Sequence, residues 1–234
     1  MFDPQSLVGL ANLDLMVRVE GLLHTMPEWN YPTNPVVIEG GGHRATFLVS
    51  TDYAGVETDT GYFRLPATPK VYERVAEAHG WALPFPELVD ATHRTVPRAS
   101  RGEPRSMSVR NGVPSWIAHN AAIEDELNAL PHTRLPLVVG RKKDVVVGQG
   151  NPRGAKKPPH LSVVIYGWHS REGKPIQSVF DAHAVGYLDY SHGWRPVSRG
   201  VDVDGVIRDY HDVLADAPLC KALFGREVKW TRYC

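Results

Sequence analysis

The chain has 234 residues, of which 42% are hydrophobic, 22% are charged and 9% are aromatic. This composition is typical of a globular protein and excludes collagen-like, coiled-coil and wholly disordered chains. Lysine plus arginine and aspartate plus glutamate both number 26, so the formal net charge is zero. Because proteins that hold a polyanion usually carry net positive charge, we expect no nucleic-acid partner.

Cysteine content and the first residues bear on the compartment. The two cysteines, Cys220 and Cys234, are too few for a disulfide framework and lack the spacing of a cysteine zinc site. No basic segment opens the chain, and Asp14 and Arg18 interrupt the apolar stretch that follows. We therefore expect no signal peptide, no membrane span and a cytoplasmic location.

The first half of the chain contains helix signals and short β-prone runs. Three prolines and three consecutive glycines over 27–42 predict a long loop, and Thr68 followed by Pro69 predicts a capped helix start. The predicted elements are a helix at 4–24, the loop at 27–42, strands at 45–50 and 62–65, and helices from Pro69 to Gly80 and at 86–95.

The second half is predicted to be rich in strands. A polar segment at 97–112, dominated by Arg, Ser, Gly and Pro, predicts a loop or a mobile connection. After it we expect a helix at 115–130, strands at 135–139, 144–147 and 161–168, a β-rich stretch at 176–203, and a helix at 206–224 with a break near Pro218.

These elements predict an α+β fold, in which N-terminal helices with a small β element precede a mostly antiparallel sheet closed by a C-terminal helix. Neither the glycine-rich dinucleotide motif nor a phosphate-binding loop motif occurs, which disfavours a doubly wound sheet. We expect a single domain over 1–234. A sub-boundary near 97–113 would separate a helical and β part at 1–96 from a β-rich part at 114–234, which carries the candidate site.

Two predicted strands end at histidines. One run ends at His169, and the stretch 187–193 contains His192 close to Asp189. Imidazole suits proton transfer near neutral pH, and a nearby carboxylate fixes its tautomer. If the strands are neighbours, His169 and His192 form a proton-transfer pair oriented by Asp189. The remaining predicted catalytic residues are Tyr166, Tyr190 and Ser191.

The segment from Arg134 to Lys157 is locally positive, with seven basic residues and one acid. A carboxylate, phosphate or sulfate group is the ligand that such a segment would hold. Alternation along a strand predicts that one of Lys142 and Lys143 points inward, as an anion clamp, and that the other points to solvent. The predicted substrate-binding residues are Arg141, Lys142, Lys143, Trp168 and Arg195.

Three sequence blocks carry a resemblance to a known family. The blocks GRKKDVV at 140–146, IYGWH at 165–169 and DYSHG at 189–193 resemble those of a family of uncharacterised bacterial proteins. Upstream elements, including Asp90 and His119, look similar too, so the resemblance covers most of 60–197. It implies no particular activity.

A much weaker local similarity exists to the L,D-transpeptidases. Residues 191–195, SHGWR, resemble their SHGCxR signature, and His169 precedes the motif much as the upstream histidine of those enzymes does. Trp194 replaces the nucleophilic cysteine, so the acyl-enzyme route is absent.

The leading hypothesis is a cofactor-independent enzyme that applies His, Asp and Lys acid–base chemistry to a small polar, anionic metabolite by hydrolysis, elimination or group transfer. One alternative is a zinc-dependent hydrolase using His169, His183 and His192 with Asp181 or Asp189. The other is a non-catalytic subunit, or a homo-oligomer, that uses Trp194 and Trp230 as interface anchors.

Overall fold

A computed structural model describes residues 2–25, 32–109, 112–130, 137–149 and 161–233 of the protein. Within these ranges there are six α-helices and two short 3-10 helices, the latter at Pro4–Leu7 and Arg98–Ser100. The α-helices are α1 (Asn12–His24), α2 (Pro69–Ala78), α3 (Pro86–Thr95), α4 (Val113–Asn128), α5 (Tyr210–Ala215) and α6 (Ala217–Phe224).

The strands form two larger sheets and two small ones. They are β1 (Thr33–Gly40), β2 (His43–Ser50), β3 (Gly55–Thr58), β4 (Gly61–Arg64), β5 (Trp81–Ala82), β6 (Lys143–Val145), β7 (Gly148–Gln149), β8 (Ile165–His169), β9 (Pro175–Phe180), β10 (His192–Gly193), β11 (Val197–Val203), β12 (Val206–Asp209) and β13 (Trp230–Thr231). About 35% of the structure is helix and 28% is strand, and the sheets are mostly antiparallel, which confirms the α+β class.

The first sheet has the order β1-β2-β11-β12, with β5 also paired to β11. All its pairings are antiparallel, and Phe47 of β2 lies between Val36 of β1 and Val201 of β11 on the buried face. Because β11 comes from the far end of the chain, this sheet joins residues from both sides of the suggested boundary at 97–113, and the division itself stays a prediction.

The second sheet positions the candidate site. Its order is β10-β6-β8-β9, so β6 lies between the two strands that carry the histidines. Strand β10 runs parallel to β6 and pairs His192 with Lys143, whereas β8 runs antiparallel and pairs Tyr166 with Asp144. All five residues of β8 are buried.

Several predicted elements have the expected type, among them α2, α3 and α4. Pro69 occupies the first turn of α2, but the Thr68 side chain makes no capping hydrogen bond. The predicted helix at 4–24 is instead divided, because Gly9 has φ +83° between the 3-10 helix and α1.

Two predictions of irregular or helical structure were wrong. Residues 33–40 of the predicted loop form β1, where Pro35 is tolerated because an edge strand need not donate every backbone N–H; residues 26–31 lie outside the described ranges. Residues 206–209 form β12 rather than helix, because Asp204 and Gly205 have φ of 54° and 86° and turn the chain into a hairpin. Closure by the C-terminal helix stays a prediction.

The predicted strand at 135–139 is not a strand where it is described. Val138 donates to Thr51 and Val139 accepts from Gly102, which are single hydrogen bonds to different segments rather than a ladder. Residues 135–136 lie outside the described ranges. Every helix in the part of the chain that the structure describes is too short or too polar to cross a membrane.

Candidate active site

His169 is held by a carboxylate that sequence reasoning did not select. Its Nε2 lies 2.7 Å from Oδ1 of Asp90 on α3, and the Tyr166 hydroxyl donates to the same oxygen at 2.9 Å. Burial, and the hydrogen bond to Asp90, raise the pKa of Tyr166, so it remains a donor. Asp90 keeps 31% of its side chain exposed while His169 is buried, so this pair connects the interior to the surface.

A second histidine on α3 packs against His169. The His93 and His169 rings stack with centroids 4.6 Å apart and an angle of 21° between their planes. Burial and the neighbouring His169 lower the pKa of His93 to about 3, so His93 is neutral at physiological pH. Both His93 ring nitrogens are buried and have no hydrogen-bond partner in the described part of the chain.

Both rings line a small polar cavity, which we name the His169 cavity. Its volume is about 10 Å³, enough for about one water molecule. All the side chains around it are buried, so a larger molecule does not fit inside in this conformation. The lining residues are Tyr53, Val89, Thr92, His93, Val139, Gly140, Asp144, His169 and Arg195.

Asp144 supplies an ionisable carboxyl to this cavity. The side chain is buried, and its Oδ1 has no hydrogen-bond partner within the described ranges. Burial raises the pKa of Asp144 to about 6, although Arg195 and His169 act against the shift. A carboxyl that titrates close to neutral pH, beside an imidazole held by a second carboxylate, is suited to acid–base catalysis.

Arg195 is placed by main-chain carbonyls. Its guanidinium donates to Ser50 and Val138 carbonyl oxygens and lies 4.6 Å from the centre of the Tyr53 ring. The predicted substrate-binding role of Arg195 therefore reduces to lining the His169 cavity with positive charge. Arg141, also buried, donates to the Val139 carbonyl oxygen and lies 3.5 Å from Glu126.

His192 belongs to a separate buried cluster. Its Nε2 lies 3.9 Å from Oδ1 of Asp189, and both His192 ring nitrogens lack a hydrogen-bond partner among the described residues. Burial lowers the pKa of His192 to about 4. The Ser191 hydroxyl and backbone N–H both donate to Asp189. Burial acts to raise the pKa of Asp189, but His192, Lys143 and Ser191 outweigh it and the pKa is lowered.

The two predicted histidines are therefore not brought together as one pair. The structure assigns Asp90 to His169 and Asp189 to His192, with β6 between them. Of the proposed catalytic set, Tyr166 accompanies His169, whereas Tyr190 and Ser191 accompany His192. His169 also has the imidazole of His93 as a neighbour, which the sequence analysis did not consider.

The prediction that one of the two lysines points to solvent was wrong. Lys142 donates from Nζ to the Tyr190 carbonyl oxygen at 2.8 Å and is buried. Only 12% of the Lys143 side chain is exposed, and its Nζ lies 3.6 Å from Asp189 and 4.7 Å from the Trp168 ring centre. Neither lysine therefore points to solvent.

Because of Lys142, the stability of the protein should increase as the pH rises above 7. Burial, and the charge of Arg64, lower the pKa of Lys142 from 10.5 to about 7. The unfolded chain then binds a proton that the folded chain has lost, so the free energy of unfolding should rise by about 2 kcal/mol from pH 7 to pH 9. Urea unfolding should show this rise in the wild type and not in Lys142→Met; equal slopes in both would contradict the assignment.

The metal-binding alternative lacks a converging ligand set. His183 stacks on Tyr187 with ring centroids 3.9 Å apart, while His169 and His192 each face a different carboxylate. In the described ranges no three side chains of His, Cys, Asp or Glu are placed to hold one metal ion.

The predicted interface anchors are not both at the surface. Trp194 is 0% exposed and donates from Nε1 to the Ala82 carbonyl oxygen, so it cannot anchor a partner protein. Trp230 stacks on His211 with centroids 4.6 Å apart.

Sequence reasoning missed Asp90 and His93 as site residues. They lie three positions apart on α3, a spacing that places two side chains on one helix face. The spacing alone did not indicate which strand that face meets.

The chain matches no protein-family model, no curated protein and no solved structure.

Proposed function

We propose that the protein is a cofactor-independent enzyme that carries out acid–base chemistry on a small polar anion at the His169 cavity. The observation that carries the proposal is the position of His169, which is held by Asp90 and borders the same cavity as Asp144. An imidazole oriented by a carboxylate and a second carboxyl with a shifted pKa are the two groups that general acid–base catalysis requires.

Charge around the cavity favours an anionic substrate. Arg195 lines the cavity, and the charges of Arg101 and Arg94 both act to lower the pKa of His93. Because the cavity itself admits only a molecule of the size of water, we place the substrate outside it, beside His169, which lines the cavity and also contacts the partly exposed Asp90. In this arrangement Lys142 and Lys143, which were predicted to clamp the anion, do not touch the substrate. They belong instead to the buried cluster around His192.

The test compares His169→Asn with a matched histidine elsewhere in the chain. His43 also contacts a carboxylate, Asp204, at 2.7 Å, but this pair is exposed and neither residue lines the His169 cavity. The probes are p-nitrophenyl acetate and p-nitrophenyl phosphate for hydrolysis and 5-nitrobenzisoxazole for proton abstraction. We expect His169→Asn to lower kcat for a probe that turns over by about 10²- to 10⁴-fold, the usual contribution of a general acid or base.

Asp90→Asn should also lower kcat, since it removes the carboxylate that orients the His169 ring. His43→Asn should leave kcat unchanged. Circular dichroism of each variant checks that it is folded. Equal rates in His169→Asn and His43→Asn, or no turnover of any probe by the wild type, would count against the proposal.

A further inference from the structure

The polar groups around the His169 cavity define the molecule that fits it. Asp144 Oδ1 and the two ring nitrogens of His93 are buried, belong to residues that line the cavity and have no hydrogen-bond partner among the residues that the structure describes. An unpaired buried polar atom destabilises a fold, so each of these atoms favours a bound partner. A water molecule needs about 10 to 15 Å³ and two to four polar partners, and the cavity, at about 10 Å³, offers both.

We infer that the cavity holds one water molecule between Asp144 and His93, and that this water is the nucleophile of a hydrolysis. This inference rests on the proposed function and narrows its reaction class. Elimination and group transfer do not require a water molecule fixed beside the acid and the base. Hydrolysis does.

Asp144 and His169 supply the base and the acid of this hydrolysis. The water oxygen forms a bond to the electrophilic carbon or phosphorus of the substrate, and its proton passes to the Asp144 carboxylate. The bond to the leaving group breaks, and the leaving group takes a proton from His169, which Asp90 holds in position. Asp144 then returns its proton to solvent and His169 regains one, so the enzyme is unchanged.

The neutral state of His93 suits it to hold water rather than to carry charge. A neutral imidazole offers one donor and one acceptor, so it can bind water whichever tautomer is present. Thr92 adds a third polar neighbour, although its hydroxyl already donates to the Leu88 carbonyl oxygen at 2.7 Å. The water would thus be oriented by side chains fixed on α3 and β6.

The experiment fills the cavity without changing a polar group. Val89 and Val139 both line it and are both buried, so Val89→Ile and Val139→Ile each add one methylene near the water position. Oxygen-17 magnetic relaxation dispersion counts water molecules that remain inside a protein for longer than its tumbling time. We expect each variant to lose one such water and to hydrolyse p-nitrophenyl acetate at least about 10²-fold more slowly than the wild type.

Val71→Ile is the matched control, because Val71 is also a buried helical valine and lies away from the cavity. It should change neither the water count nor the rate. Asp144→Asn gives a second, independent readout: it keeps the size of the side chain, so the water should stay while hydrolysis is lost.

The outcomes separate this inference from the proposed function. An unchanged water count in both cavity-filling variants would show that no water is held there and overturn the inference. A lower count with unchanged turnover would make the water structural, and would overturn its role as nucleophile. If His169→Asn still loses activity in either case, the acid–base proposal survives and only the water is wrong.

Discussion

Acidification from pH 7 to pH 4.5 is expected to unfold the protein, because three buried histidines cannot accept a proton in the folded state. Burial lowers the pKa of His93 to about 3, of His119 to about 2 and of His192 to about 4, from an ordinary value of 6.5. The unfolded chain binds these protons and the folded chain does not. Above pH 6.5 these histidines are neutral in both states and do not make stability depend on pH. Below pH 6.5 protonation of the unfolded chain lowers the free energy of unfolding.

The expected size of this loss is comparable with the whole stability of a domain. At pH 4.5, two units below 6.5, each histidine lowers the free energy of unfolding by roughly 2.7 kcal/mol, and the three together lower it by about 8 kcal/mol. Asp144 acts in the opposite direction. Because its pKa is raised to about 6, its protonation in the folded state raises the free energy of unfolding by about 2 kcal/mol at pH 4.5. A net loss of about 6 kcal/mol lies within the 5 to 15 kcal/mol that typically stabilises a domain.

Urea unfolding followed by circular dichroism at pH 7, 6, 5 and 4.5 measures this loss directly. His119→Gln should reduce the pH dependence by nearly half, because it removes roughly 2.7 of the net loss of about 6 kcal/mol, and His43→Gln, at an exposed position, is the control. A free energy of unfolding that stays constant down to pH 4.5 would show that these histidines do find proton acceptors in the folded protein.

Replacing Arg64 by Met should destabilise the protein by about 3 to 5 kcal/mol, the loss that follows when one partner of a buried ion pair is removed. Arg64 is 2% exposed; it donates to Asp52 at 2.8 and 2.6 Å and to Glu124 at 2.6 Å. Burial disfavours its charge, but Asp52 and Glu124 outweigh burial and raise the pKa of Arg64. Met keeps most of the volume and leaves both carboxylates without their counter-charge.

The control is Arg74→Met, since Arg74 binds Glu20 with the same two-bond geometry, at 2.7 and 2.6 Å, but has 47% of its side chain exposed. Exposed ion pairs contribute about 0 to 1 kcal/mol, so this variant should unfold almost as the wild type does. Combining Arg64→Met with Asp52→Asn and Glu124→Gln should recover part of the loss. If the triple variant is no more stable than Arg64→Met alone, the damage comes from packing and not from unpaired charge.

Short-range sequence patterns predicted the helices α2 and α3, because a helix is formed by contacts between residues close together in the sequence. The proline at the first turn of α2 and of α3 marks each helix start, and the apolar spacing in both helices predicts the buried face. The proline and glycine content of 27–42 led to the wrong prediction of a loop. Strand β1 forms there because each of its residues pairs with β2, and not because of its own strand propensity. Tertiary pairing of this kind is invisible in a single sequence.

The candidate site shows the same limit. Histidines at strand ends were identified from sequence, yet the carboxylate that holds His169 lies 79 residues earlier in the chain. The nearest acid in sequence to the second histidine, Asp189, was the natural choice for both. Only the strand order, with β6 between β8 and β10, shows that the two histidines have separate partners.

The pairing of β2 with β11 affects how this chain must fold during synthesis. Thr46 pairs with Asp202, a separation of 156 residues (202 − 46), so the inner edge of β2 has no partner until β11 has left the ribosome. Closing so long a loop is slow, and an unpaired β-strand edge promotes aggregation while it persists. Refolding yield in vitro should therefore fall steeply with protein concentration, and a fragment ending before β11 should precipitate where the full chain stays dissolved.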